Sequence, residues 1–226
     1  MQPNPFESEF QKMRDLIREL DDDDLALTYI ESALNIETLS LDEEMSINEH
    51  LLAGKPLTEA QKKRMSEGYL FIAVTKAAEF RQLGVSIGSL IEAAEKAVSE
   101  ALPEFRPKRV SESFYSDCND IAESAIVEAL LNSGFELVPP EELIKLAKPT
   151  GDAIEDGKSQ DELKRLLVLL DPIERSFVSQ ACGLSGNAPK SLKEIARARG
   201  SDSTALVESY LTKALRKILR RKKVGT

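Results

Sequence analysis

A chain of 226 residues with 42% hydrophobic residues is long enough for one large or two small cores and has the composition of a folded protein. Only 5% of its residues are aromatic, none is Trp, and no alternating β-branched run of strand length appears, so an all-α fold is expected. The net charge of −9 is unevenly placed: residues 212–226 carry Lys213, Arg216, Lys217, Arg220, Arg221, Lys222 and Lys223 with no acid, so only that end suits phosphate contact, and the acidic remainder should repel naked DNA.

Residues 1–22 read as an N-terminal appendage, a short amphipathic helix (Phe6, Phe10, Met13, Ile17, Leu20) followed by the acidic break Asp21 to Asp24. Residues 23–130 read as a compact helical domain with breaks at Thr38-Leu39-Ser40, Ala53-Gly54-Lys55-Pro56 and Gly84-Val85-Ser86. Residues 131–160 contain Pro139-Pro140, Pro149 and Gly151 and read as a flexible linker, with room for a short helix at 141–147. Residues 161–226 form a second helical domain.

That last segment has two helix starts with a mechanism. Asp171-Pro172-x-Glu174 sets a cap, a first-turn proline and a reciprocal acid in order, and Ser191-x-x-Glu194 is a capping box. The polar turn SGNAPK joins these helices, Gly200 closes the second, and Ser201-Asp202-Ser203 turns the chain into a third. The third carries Leu206, Val207, Tyr210, Leu211, Ala214, Leu215, Ile218 and Leu219 on one expected face. Three short helices around a tight polar turn is the layout of a helix-turn-helix.

Several chemistries are not expected. No window approaches the roughly 18 uncharged apolar residues of a spanning helix, and MQPNPFESEF lacks the basic and apolar regions of a signal peptide, so a soluble, cytoplasmic protein without a membrane partner is expected. Cys118 and Cys182 lie far apart and are expected as buried small apolar residues, not as a disulfide or zinc site. The single histidine, His50, has no partner at ligand spacing and is expected at the surface. The acid pairs Glu43-Glu44 and Glu141-Glu142 fall on expected exposed helix faces, and neither a phosphate-cradling glycine loop nor a base for a nucleophile is present. No metal, no cofactor and no enzyme activity are expected.

LDPIERSFVSQACGL followed by SLKEIARARG and KALRKILRR resembles the fourth domain of bacterial RNA polymerase sigma factors. A second, independent stretch is similar to the same family. Asp24-Leu25 with Tyr29-Ile30, Leu39-Ser40-x-x-Glu43-Glu44 and Ala53-Gly54 looks like the segment preceding sigma domain two. Tyr69-Leu70, Ala73-Val74, Phe80-Arg81, Gly84-Val85-Ser86, Leu90-Ile91-Glu92 and Phe105-x-Pro107-x-Arg109 are similar to domain two itself. The resemblance covers roughly residues 24–130 and 161–223, in the family's order. The helical third domain of multi-domain members is missing.

The resemblance implies two all-α domains, and it places polymerase-core contact on the helix with Leu90, Ile91, Glu92 and Glu95, although Ala93 stands where the family usually has an acid. It places promoter melting on the following helix, where flipped bases need stacking platforms and the strand needs cations. Phe114 and Tyr115 remain there, but Asn119-Asp120 replace adjacent tryptophans and Ala122-Glu123 replace an arginine and a glutamine, with Arg106, Lys108 and Arg109 basic upstream. In the recognition helix, promoter-reading residues become Thr204, Ala205, Leu206, Glu208 and Ser209, so the bidentate guanine readers are gone. Weak DNA contact is then expected from Thr204, Glu208, Ser209, Lys213, Arg216, Lys217, Arg220 and Arg221.

The expected function is therefore that of a sigma-factor-like protein that binds bacterial RNA polymerase core and redirects promoter use, with weak DNA binding and a companion regulatory protein as a further partner. Two alternatives stand beside it: a decoy or adaptor that binds polymerase or a sigma regulator without reading promoter DNA, and a helix-turn-helix repressor. Family analogy carries these readings, since a fold alone does not fix function.

Overall fold

The computed structural model describes residues 7–20, 24–184 and 188–222. Phe6, the acids 21–23, the turn residues 185–187 and Lys223 lie outside the described residues. The fold is all-α, with eleven α-helices and two three-residue strands among the described residues, and the chain divides into two compact units, one running to Ala129 and the other from Leu130. No described helix is long and apolar enough to cross a membrane.

The first unit holds α1 (Glu7–Glu19), α2 (Asp24–Asn35), α3 (Leu41–Leu52), α4 (Glu59–Glu79), α5 (Ile87–Ala101) and most of α6 (Tyr115–Asn132). Local chemistry starts two of these helices. Ser40 Oγ accepts from Glu43 N at 3.3 Å while the Glu43 carboxylate accepts from Ser40 N at 2.8 Å, and Thr58 with Gln61 repeats the same reciprocal cap. α4 is the central element, burying Met65, Tyr69, Phe71, Ile72 and Val74. Gly68 on α4 is required by packing: a Cβ there would meet Leu39 Cγ at 2.8 Å. The segment read as an appendage is instead part of this core. α1 buries Phe10, Met13 and Leu16, and Phe10 stacks on Phe71 at 5.9 Å between ring centroids. Leu16 is buried, and Ile17, expected on the apolar face, is half-buried.

The second unit holds β1 (Phe135–Leu137), α7 (Pro140–Ala147), α8 (Ala153–Leu166), α9 (Pro172–Cys182), α10 (Leu192–Ala198), α11 (Ala205–Lys217) and β2 (Leu219–Arg221). Here the expected linker is corrected. Val138 and Leu143 are 2% and 0% exposed in one core with Phe177, Val178, Ile195 and Ile218, so residues 131–160 supply a strand, the helix α7 and the first half of α8 to this unit. The expected length of the last helix is corrected too. α11 ends at Lys217, Ile218 turns extended (φ −85, ψ 90), and β2 pairs antiparallel with β1 in the register Phe135↔Arg221, Glu136↔Arg220, Leu137↔Leu219. Ile218 O accepts from Val138 N at 3.0 Å, so the peptide that breaks the helix finds its bond in the ribbon.

Candidate nucleic-acid and partner-binding surfaces

The helix-turn-helix is built from its caps inward. Asp171 Oδ1 accepts from Ile173 N at 2.7 Å and Glu174 N at 2.8 Å, and Glu174 Oε2 accepts from Asp171 N at 3.0 Å, with Pro172 in the first turn of α9. Ser191 and Glu194 close the same box on α10, at 2.7 Å and 3.3 Å between backbone N and side-chain oxygen. Donation from Ser191 N at 2.7 Å and Ser191 Oγ at 2.8 Å holds the Glu194 carboxyl below its usual range. After α10 the chain adopts a left-handed Gly200 (φ 76), and Ser201 N returns to Ala196 O at 3.0 Å. The Arg199 guanidinium lies 3.9 Å above the Phe177 ring, and Phe177 stacks on Tyr210 at 5.1 Å, so one cation and two rings bind α9, the turn and α11 together.

This packing decides which side of α11 faces water. Val207, Leu211 and Ala214 are buried, while Ala205, Leu206, Glu208, Ser209, Thr212, Lys213 and Arg216 are exposed and Thr204 is half-buried. Leu206, expected on the core face, is 60% exposed, because the apolar stripe is centred on the other three residues. Two cations expected to meet DNA are held within the protein. The Lys217 ammonium is buried 2.9 Å from Glu174 Oε1. Arg220 Nε donates to Glu136 Oε1 at 2.8 Å and Nη1 to Glu142 Oε1, so Glu142 is engaged and not a solvated acid. Arg221 is exposed, with its guanidinium carbon 5.5 Å from the Phe135 ring centroid. Sequence reading missed the exposed cations of α10, Lys193 and Arg197, although their i, i+4 spacing places them on one helix side.

In the first unit the structure corrects two of the expected polymerase contacts: Leu90 and Ile91 of α5 are buried in the core, where they meet no partner, while Glu92 is exposed. Glu95 is half-buried and accepts from Ser99 Oγ at 3.1 Å, and Ser99 Oγ lies 2.8 Å from Ser66 Oγ of α4. Burial raises the Tyr29 hydroxyl of α2, with the charges of Glu95 and then Glu92 adding to the effect.

The loop before α6 presents Arg106, Lys108 and Arg109 to solvent, and Arg106 Nη1 also donates to Pro103 O at 2.7 Å. Buried Asn48 pins this loop by donating to Val110 O at 2.8 Å and Glu112 O at 2.5 Å. Phe114, expected as a stacking platform for bases, is 3% exposed with its ring 4.5 Å from Phe105 and 5.7 Å from Tyr69. It is a core residue. Tyr115 is half-buried and stacks on Phe71 at 6.1 Å. Glu43 and Glu44, expected as solvated acids, are also engaged: Glu43 pairs with Arg64 at 2.8 Å, and Glu44 accepts from the Tyr69 hydroxyl and from Ser113 Oγ at 3.1 Å.

Cys118 and Cys182 are buried thiols, and burial pushes both above their usual titration range. His50 is half-buried, its Nε2 2.8 Å from Pro56 O. Among the described residues no group of three or more His, Cys, Asp or Glu side chains is placed to hold a metal ion. No protein-family model matches the sequence, and no curated protein matches it.

Proposed function

We propose that this chain is a sigma-factor-like protein that binds bacterial RNA polymerase core through the α5 surface around Glu92 and carries a helix-turn-helix with an altered reading face. The α9, α10, α11 assembly carries the reading. Two capping boxes and a left-handed glycine set its helices in helix-turn-helix order, with the exposed side of α11 turned to solvent, in the stretch of sequence that resembles sigma domain four. Co-elution of the purified full-length chain with polymerase core on size exclusion tests it. A stable complex is expected, and separate elution at micromolar concentration removes the reading.

A second reading, an adaptor or decoy that occupies polymerase without opening a promoter, is favoured by the fate of the expected DNA contacts. Phe114 is in the core, Arg220 is neutralised by two carboxylates, and Asn119-Asp120 offer no rings. Stacking is worth about 1–3 kcal/mol per base, so losing two platforms costs more than tenfold in the open fraction. Permanganate footprinting of thymines with core plus this protein separates the two readings. Opening only on pre-melted templates fits the adaptor, and robust opening of duplex promoters excludes it.

A further inference from the structure

A cavity of about 350 Å³ opens in the first unit between the end of α3, the start of α4 and the 3₁₀ turn Leu102–Glu104 that follows α5. Its wall is apolar, made by Leu51, Pro56, Leu57 and Pro103 with Gly54. The other described residues that line it are Lys55, Lys62 and Arg106, and no acid is among them. Binding pockets hold about 300–1,000 Å³ and are largely apolar with a few placed polar groups, and this cavity has that make-up at the small end of the range.

The cavity is also formed in advance of any ligand. Gly54 takes the left-handed conformation (φ 73), its N donates to Leu51 O at 2.9 Å, Lys55 N donates to His50 O at 3.2 Å, and Nε2 of His50 lies 2.8 Å from Pro56 O. Arg106 is fixed as well: its Nη1 donates to Pro103 O at 2.7 Å and Phe105 O at 2.8 Å, and a guanidinium has further N–H groups for another acceptor. Lys62 pairs with Glu59 at 2.8 Å, a contact whose acid is 90% exposed, whereas Lys55 and Arg106 have no carboxylate partner among the described residues.

Three cations at one small cavity suit a ligand with more than one negative charge. A phosphate ester carries close to two at neutral pH and offers three acceptor oxygens, and a carboxylate carries one. The rest of the lining has no hydroxyl, amide or acid to hold a sugar, so the body of the ligand presents a flat apolar face. We propose that this cavity binds a nucleoside phosphate, with its phosphates on Lys55, Lys62 and Arg106 and its base against Leu51, Pro56 and Pro103. Arg106, expected at a DNA phosphate, then serves a free one. The inference stands apart from polymerase binding and from the helix-turn-helix.

Isothermal titration of the full-length protein with ADP, GDP, inorganic pyrophosphate and a short single-stranded oligodeoxynucleotide tests it. One of the two nucleotides should bind with one-to-one stoichiometry, about fivefold tighter than pyrophosphate because its base meets the apolar wall. Lys55→Glu, at an exposed turn position, should weaken that binding about tenfold, the worth of one charge-assisted hydrogen bond, with the helical circular dichroism spectrum retained. In the wild-type protein the nucleotide should shift the Leu51 and Leu57 methyl resonances. No binding of either nucleotide at millimolar concentration, affinity unchanged in Lys55→Glu, or unshifted Leu51 and Leu57 methyls overturns the site. Pyrophosphate as tight as the nucleotides overturns the contact of the base, and an oligonucleotide that binds where both free nucleotides fail assigns these cations to nucleic acid instead.

Discussion

The ammonium of Lys217 lies 2.9 Å from a carboxylate oxygen of Glu174, and both side chains are buried. The pair joins the last turn of α11 to the first turn of α9, and the other Glu174 oxygen closes the α9 cap on Asp171 N. Removing one partner of a buried pair leaves an uncompensated charge, at a cost of about 3–5 kcal/mol. Lys217→Met should therefore destabilise the protein by that amount in urea denaturation. Lys217→Met with Glu174→Gln, which retains an oxygen for the cap, should recover most of the loss. A single variant within about 1 kcal/mol of wild type would contradict this account of the pair.

The ribbon predicts where the second unit can be cut. Fully burying an aliphatic side chain contributes about 1.5–3 kcal/mol, and Val138 with Leu143 is a large share of the stability of so small a unit. A fragment of residues 130–226 should unfold cooperatively, whereas 161–226, lacking β1 and α7, should lose its sigmoidal urea transition. Equal transitions in both fragments, followed by circular dichroism, would show that residues 131–160 are dispensable for the fold.

What was legible in the sequence is what is local. The caps at Asp171 and Ser191 bind residues three positions away, so their chemistry is visible in a short window. The fates of Arg220 and Phe114 were not legible. Arg220 meets Glu136 across 84 residues, through strands of three residues that leave no periodic signal. Phe114 sits beside Tyr69, far away in sequence, and an aromatic next to a basic loop reads equally well as core or as platform. A basic tail likewise reads as a DNA contact until the structure supplies the carboxylates that neutralise it. Leu206 failed for another reason: it satisfies helical spacing with Tyr210, yet lies at the edge of the stripe and is left in water.

Acid should loosen the first unit through Glu43. The Arg64 guanidinium, with Nε 2.8 Å and Nη2 3.0 Å from its two oxygens, together with Ser40 N, holds this carboxyl down at about 2 against an ordinary 4.5. The folded value is depressed, so the contribution is fully present above the unfolded value and is lost as pH falls from about 4.5 toward 2. The Glu43 side chain is 42% exposed, and solvent screening reduces the effect to about 1 kcal/mol. Urea denaturation of wild type and Arg64→Met should differ more at neutral pH than at pH near 2.5, the gap narrowing by about that amount. A gap that stays constant or widens on acidification would remove the pair as its cause.

The central claim is that the α5 surface docks this chain on polymerase core, and a change at Glu92 and Glu95 measures it most directly. Glu92 is exposed and Glu95 half-buried, while Leu90 and Ile91 lie in the core, so reversing both charges alters the helix surface and leaves the packing of α5 in place. The affinity of the full-length protein for core should fall at least tenfold in the Glu92→Lys, Glu95→Lys variant, about 1.4 kcal/mol, with the helical circular dichroism spectrum retained. Core binding of unchanged affinity in the folded double variant would contradict the assignment of α5 as the docking surface.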